Sequence, residues 1–230
     1  MNKILENKKV IFLDVGYTLD YPASGDWMLT NRFYEIAGDR INSKDHDEIW
    51  NARNAGIRFL EENHLLTTME EEKDQYFEFY SIISKELGLG LSSDDLEEIA
   101  KDRTYNMENY LAYPGTADAV SELSKSFKLG IISDTWPSIT PQLEHIGVLE
   151  YISFHTYSCF LGIFKPDKKM YLDALEKCGV PASETVFIDD RISNLEGAEK
   201  LGITPILITA NPVSDVETKY TKIKDLRELL

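Results

Sequence analysis

The chain is poor in cysteine and in basic residues and has no long apolar run, and each shortage removes a class of function. Its 230 residues include 2 cysteines, Cys159 and Cys178. They form neither a disulfide framework nor a CxxC metal motif, so both read as buried or half-buried free thiols. His46, His64, His145 and His155 form no spaced metal pair, and packing or surface roles are expected for them. Lysine and arginine total 24 against 40 acidic residues, a formal charge of −16. Such a surface repels polyanions, which argues against nucleic acid and anionic membrane as partners. A phosphate-bearing substrate would need a locally positive pocket. No stretch approaches the roughly 18 apolar residues of a membrane span, and Met1–Lys9 is too short and too charged for a signal peptide. A cytoplasmic location is the expectation. What remains, 43% hydrophobic and 28% charged residues, is the mix of a globular protein long enough to bury a core.

Val10-Ile11-Phe12-Leu13 is a short apolar run ending on Asp14. From about Asp20 to Tyr110 no strand is legible, and apolar residues recur at helical spacing, as in Trp27, Leu29, Phe33 and Ile36. Thr67/Glu70 and Thr68/Glu71 each have capping-box spacing, and Ser92–Asp95 can cap a further helix. After Tyr113-Pro114-Gly115 strand and helix patterns alternate. Strands are predicted at 129–133, 151–154, 185–189 and 205–208, helices at 117–124, 141–146, 167–178 and 194–201. Lys222–Leu230 reads as a last amphipathic helix. Alternation of this kind implies βαβ units and a Rossmann-like parallel sheet with helices on both faces. The first strand belongs to that sheet. The expected division is therefore an α/β core of residues 1–19 and 112–230, with an all-helical domain of residues 20–111 inserted in it.

In such a sheet, ligands bind beyond the carboxyl ends of the strands. Asp14, Ser133-Asp134 and Asp189-Asp190 each follow an apolar strand, and the loop Gly162–Asp167 adds Lys165. Alone, Ser133-Asp134 reads as a helix cap and Lys165-Pro166 as an ordinary loop. Asp189-Asp190 is harder to dismiss, because adjacent buried carboxylates repel without a cation. Together the three carboxylates form a coupled set that a divalent ion would neutralise. Mg²⁺ suits oxygen ligands and leaves room for water and phosphate. A phosphoryl group there would meet the metal on one side and Lys165 and Ser133 on the other.

The order Phe-Leu-Asp14…Thr18-Leu19, Ile-Ile-Ser133, Lys165-Pro166-Asp167 and Phe-Ile-Asp189-Asp190…Asn194 resembles the haloacid dehalogenase superfamily. The helical insertion resembles the C1 cap of its subfamily I phosphatase-like members. The resemblance implies that Asp14 is a nucleophile forming an aspartyl-phosphate and that Ser133 hydrogen-bonds the phosphoryl oxygen. Lys165 would bridge the two. It also implies Mg²⁺ held by Asp14, the Gly16 carbonyl, Asp190 and, directly or through water, Asp189. Tyr17 and Asp134 are expected at the substrate, with Thr18 and Asn194 in support.

One position departs from that pattern. Most phosphatases of the superfamily carry a second aspartate where this chain has Gly16, serving as acid for the leaving alcohol and base for water. General acid–base help is worth about 10²–10⁴ in rate, so its loss handicaps the reaction without abolishing it. The leading expectation is a Mg²⁺-dependent phosphatase of a small phosphorylated metabolite, with another proton source such as water, a residue of the helical insertion, or Tyr17. The alternatives are a phosphonatase- or dehalogenase-like hydrolase of C–P or C–halogen bonds, or an impaired phosphate-binding module. A phosphonatase would need a Schiff-base lysine, for which Lys44, Lys73, Lys85 and Lys101 are available. Sequence gives no oligomeric state.

Overall fold

The computed structural model of the protein describes residues 3–230. The strands are β1 (Val10–Leu13), β2 (Asp20–Pro22), β3 (Tyr110–Ala112), β4 (Lys128–Ser133), β5 (Ile152–Tyr157), β6 (Thr185–Asp189), β7 (Thr204–Ile208) and β8 (Thr221–Ile223). Six of them form a parallel sheet in the order β5-β4-β1-β6-β7-β8, while β2 and β3 pair antiparallel beside it. Strands β1 and β6 are buried at every residue, as expected where helices cover both faces. Alternate side chains serve alternate faces. Ile11 and Leu13 pack in one cluster with Ile131, Val186 and Leu143, whereas Val10 and Phe12 pack in another with Phe187, Met170 and Leu195. Gly130 in β4 is needed for a close approach: a Cβ there would lie 2.1 Å from the Phe154 ring on β5.

The helices are α1 (Asn31–Ala37), α2 (Asp39–Asn42), α3 (His46–Glu62), α4 (Met69–Glu86), α5 (Ser93–Tyr105), α6 (Thr116–Ser124), α7 (Ile139–His145), α8 (Ser158–Leu161), α9 (Lys168–Cys178) and α10 (Ile192–Glu199). Helices α1–α5 lie between β2 and β3 and bury their own apolar cluster around Phe33, Tyr76, Phe79 and Ile99. Of the two predicted capping boxes the chain uses Thr68/Glu71, and Ser92/Asp95 forms another. Glu71 Oε2 also accepts from Thr67 N and Thr67 Oγ1, so the neighbouring threonine reinforces the same cap.

Two expectations fail. The stretch from Asp20 to Tyr110 is not free of strand, since β2 and β3 close its ends; at three residues each, with Pro22 inside, they lack any readable alternation. Lys222–Leu230 is not a helix. Residues 221–223 form β8 on the sheet edge beside β7, and a 3₁₀ turn over Leu226–Leu229 buries Leu226 and Leu229. The amphipathic spacing was real, but an open edge beside β7 competes for the segment's first backbone groups, and a lysine-bearing strand is a suitable end to a sheet.

The helical segment sits on the carboxyl ends of the strands through buried hydrogen bonds. Glu72, fully buried on α4, accepts from Ser138 N and Ser138 Oγ, each at 2.7 Å. Trp136 Nε1 donates to Gln75 Oε1 at 2.7 Å, and Leu66 N donates to Cys159 O at 2.9 Å. His64, 2% exposed, meets Ser158 Oγ through Nε2 at 2.7 Å and stacks on Phe164. Its Nδ1 has no partner, so a proton added there would be buried without an acceptor. Burial pushes the His64 pKa down to about 4, against about 6.5 in an unfolded chain. The unfolded state therefore takes up the proton first. The His64 contribution is complete above pH 6.5 and is lost as pH falls toward 4, by at most about 1.4 kcal/mol per pH unit. In urea unfolding at pH 7.5 and 5.0, the stability gap between wild type and His64→Leu is expected to narrow on acidification. A gap that stays constant would contradict this.

Candidate active site

Because the sheet is parallel, β1, β4 and β6 end at one edge and deliver Asp14, Ser133 and Asp189-Asp190 there. Asp14, Asp189 and Asp190 each offer an oxygen within 4.8 Å of the others. Lys165 Nζ lies between two of them, 2.7 Å from Asp14 Oδ1 and 2.8 Å from Asp189 Oδ2, and also donates to Ile132 O at 3.1 Å. Asp134 Oδ1 accepts from Lys165 N at 2.8 Å, which pins the loop carrying that ammonium. Asn194 Nδ2 donates to both Asp189 oxygens, at 3.1 and 3.0 Å, and Arg191 N donates to Asp189 Oδ1 at 2.7 Å. Asp189 is thus heavily engaged by protein donors. Asp190 Oδ2 accepts from Ser214 Oγ at 3.1 Å.

The electrostatics follow from burial. Burial pushes the Asp14 carboxyl up to about 8; Lys165 opposes that shift, and Asp189 and Asp190 add to it. Burial, then Asp189, raises Asp190 to about 6. At Lys165 burial opposes the charge, yet Asp14 and Asp189 outweigh it and hold the pKa well above that of an ordinary lysine. Three carboxylates face one ammonium, and all the donors are oxygen. That set fits a hard divalent cation, with Asp14 and Asp190 the freer ligands and Asp189 better placed to act through water.

The cluster opens into a cavity of about 470 Å³. Asp14, Gly16, Tyr17, Ser133, Asp134, Lys165, Asp190 and Asn194 line it, so most residues singled out in the sequence meet here. Asp189 lies fully buried behind it. Thr18 is buried too, but its hydroxyl has no partner and does not reach the cavity wall. Tyr17 holds a left-handed backbone, φ 58°, a conformation costly for a bulky residue and common at functional sites. The surroundings of Gly16 were beyond sequence reading. A Cβ on Gly16 would stand 3.0 Å from Trp27 Cζ2, so an indole from the helical segment fills the space a side chain would take. Arg53, Arg103 and Glu61 also line the cavity and carried no sequence signal. None of Lys44, Lys73, Lys85 and Lys101 is among the lining residues.

An α/β sheet presenting an aspartate, a lysine and an acidic pair to a roofed cavity defines a hydrolase of the haloacid dehalogenase-like kind. The chain belongs to that family: the haloacid dehalogenase-like hydrolase pattern matches residues 27–202. It is 29% identical over 129 residues to the glyceraldehyde 3-phosphate phosphatase of Methanocaldococcus jannaschii, covering 51% of this chain and 54% of that protein. Its curated relatives are matched over about half their length or less. Among solved structures it resembles a 2-haloacid dehalogenase from Pseudomonas syringae pv. Tomato DC3000 (TM-score 0.64, 20% identity, 96% of each chain). It also resembles the HAD-hydrolase YfnB from Bacillus subtilis, a structure bound to magnesium (TM-score 0.66, 19% identity, 96% of each chain). At these identities the two structures establish the fold.

Proposed function

We propose that the protein is a Mg²⁺-dependent phosphatase of a small phosphorylated metabolite, acting through an aspartyl-phosphate on Asp14. The observation that carries this is Lys165 Nζ between Asp14 and Asp189, beside the Asp190 carboxylate. Asp14 Oδ attacks phosphorus and the bond to the leaving oxygen breaks, the departing alkoxide taking a proton from water because Gly16 offers none; a second water then attacks the acyl phosphate, gives its proton to solvent and releases phosphate and the Asp14 carboxylate. Lys165 holds Asp14 in place and, with the Ser133 hydroxyl, meets charge on the phosphoryl oxygens. Asp134 keeps Lys165 in position, and Asn194 orients Asp189. A Mg²⁺ ion bound by Asp14, Asp190 and the Gly16 carbonyl, with Asp189 behind it, would supply further neutralisation of the phosphoryl group. Residues 20–111 act as a cap over a core of 1–19 and 112–230, excluding bulk water and selecting substrate. A magnesium-bound fold neighbour and a phosphatase relative support the reading.

A phosphonatase reading loses support because no lysine of the helical segment lines the cavity. A dehalogenase reading leaves the acidic pair Asp189-Asp190 without a task. The test is release of phosphate from 4-nitrophenyl phosphate. Turnover that appears with Mg²⁺ and disappears on chelation is expected; turnover indifferent to chelation would overturn the metal-dependent reading.

A further inference from the structure

We infer that Trp27 is the platform on which the leaving group lies, and that the protein takes phosphomonoesters of flat, largely apolar alcohols rather than of sugars or polyols. This rests on the phosphatase reading above and names its substrate class. The indole is built into the site. Asp26 Oδ1 accepts from Met28 N at 2.7 Å and Leu29 N at 3.2 Å, closing a turn around Trp27. Trp27 O accepts from Arg103 Nε at 3.2 Å, and the Tyr17 ring meets the indole edge-on at 5.2 Å. Gly16 completes the seat, because any side chain there would have to displace the ring at 3.0 Å.

The rest of the roof agrees. Met28, Ile57 and Leu60 stand with Trp27 on the helical side, and Trp136 and Phe164 face them from the core. Several polar groups among them are already engaged, Arg53 through its Nε alone. Arg53 pairs with Asp26 at 3.1 Å, Arg103 bonds the Tyr110 hydroxyl and Trp27 O, and Gln142 Nε2 donates to Asp20 at 2.6 Å. Glu61 is exposed at the rim. A sugar or polyol pressed against the Trp27, Met28, Ile57 and Leu60 face would bury hydroxyls with few partners, a loss that hydrogen-bonding sites avoid. A planar apolar group instead gains area and ring contact.

The experiment compares two esters whose alcohols are of similar acidity, 2-naphthylmethyl phosphate and glycerol 3-phosphate, with Mg²⁺. Wild type is expected to favour the naphthyl ester in kcat/KM by roughly 30-fold or more, mostly through KM. Trp27→Ala should bring the two esters within about threefold of each other, and Trp27→Phe should restore part of the preference. Equal use of both esters by wild type would overturn the inference while leaving the phosphatase reading intact. So would a preference that survives in Trp27→Ala. If neither ester is hydrolysed, calorimetry with 2-naphthylmethylphosphonate and 2,3-dihydroxypropylphosphonate decides. A naphthyl preference lost in Trp27→Ala upholds the platform, and no preference overturns it, while 4-nitrophenyl phosphate decides the phosphatase reading separately.

Discussion

Replacing Asp14 by asparagine is expected to reduce Mg²⁺-dependent phosphate release by about 10⁴-fold or more, the scale of loss when a nucleophile is removed from a covalent mechanism. The amide keeps the shape of the side chain but is a far weaker nucleophile toward phosphorus. Asp14 is also one of three carboxylates within 4.8 Å, so the substitution removes one charge from a crowded set. Lys165 retains Asp189 at 2.8 Å and Ile132 O at 3.1 Å, and the ammonium is not left unpaired. The folded protein should therefore survive, with thermal unfolding close to that of wild type. The loss is then chemical and not conformational. Residual turnover above about one per cent in a variant of unchanged unfolding temperature would move the nucleophile elsewhere.

The parts of this site that sequence made legible share one physical property: each ends an apolar strand of the sheet. Burial on both faces writes near-continuous hydrophobic runs, so Asp14, Ser133 and Asp189-Asp190 stand out as polar residues where such runs stop. Lys165 was legible only in their company. What sequence could not supply depended on contacts between distant segments. The place of Trp27 at the start of the helical insertion is compatible with reaching the substrate, but nothing in Ser24–Met28 announces that its indole will fill the space beside Gly16. Arg53 and Arg103 look like ordinary surface helix residues until Asp26 and Tyr110 are placed against them. Glu72 reads as one of three successive glutamates opening α4, yet it alone turns inward to Ser138 and is wholly buried. The edges of the fold were hidden for a different reason. Strands β2, β3 and β8 have three residues each, too few for alternation to be read, and pairing rather than intrinsic pattern makes them strands.

The helical segment and the sheet edge that bears Asp14 are also less separable than the sequence suggested. The end of β4 carries Ser133, and the loop after it Asp134, toward the proposed phosphoryl site, and a few residues on that loop binds α4 through Trp136–Gln75 and Ser138–Glu72. Any movement of the helical segment away from the sheet must break those buried hydrogen bonds or carry the loop along. The groups proposed to bind phosphate are therefore tied to the helical segment proposed to select the substrate. This coupling would give closure of the proposed cap a direct route to the alignment of Ser133.

Removing the Lys165 ammonium, as in Lys165→Met, should be the most damaging substitution to the fold itself. The side chain is buried between Asp14 and Asp189 and is the cation both carboxylates touch. Methionine approximates its length and fills its volume, so the loss is electrostatic. Deleting one member of a buried ion pair strands the other, at a cost of about 3–5 kcal/mol. In a chain of this size that corresponds to a fall in unfolding temperature of roughly 10 °C. Two consequences distinguish this cause from general disruption. Asp14, whose carboxyl burial already pushes up to about 8, can be neutralised by a proton, so the deficit relative to wild type should shrink as pH is lowered toward 5. A divalent ion can neutralise the stranded carboxylates as well, so added Mg²⁺ should stabilise Lys165→Met more than it stabilises wild type. Urea unfolding with chelator and with Mg²⁺, at pH 8 and pH 5, measures all three. A loss below about 1 kcal/mol, or a deficit indifferent to both pH and Mg²⁺, would mean that Asp14 and Asp189 do not depend on Lys165 for their burial as charged groups.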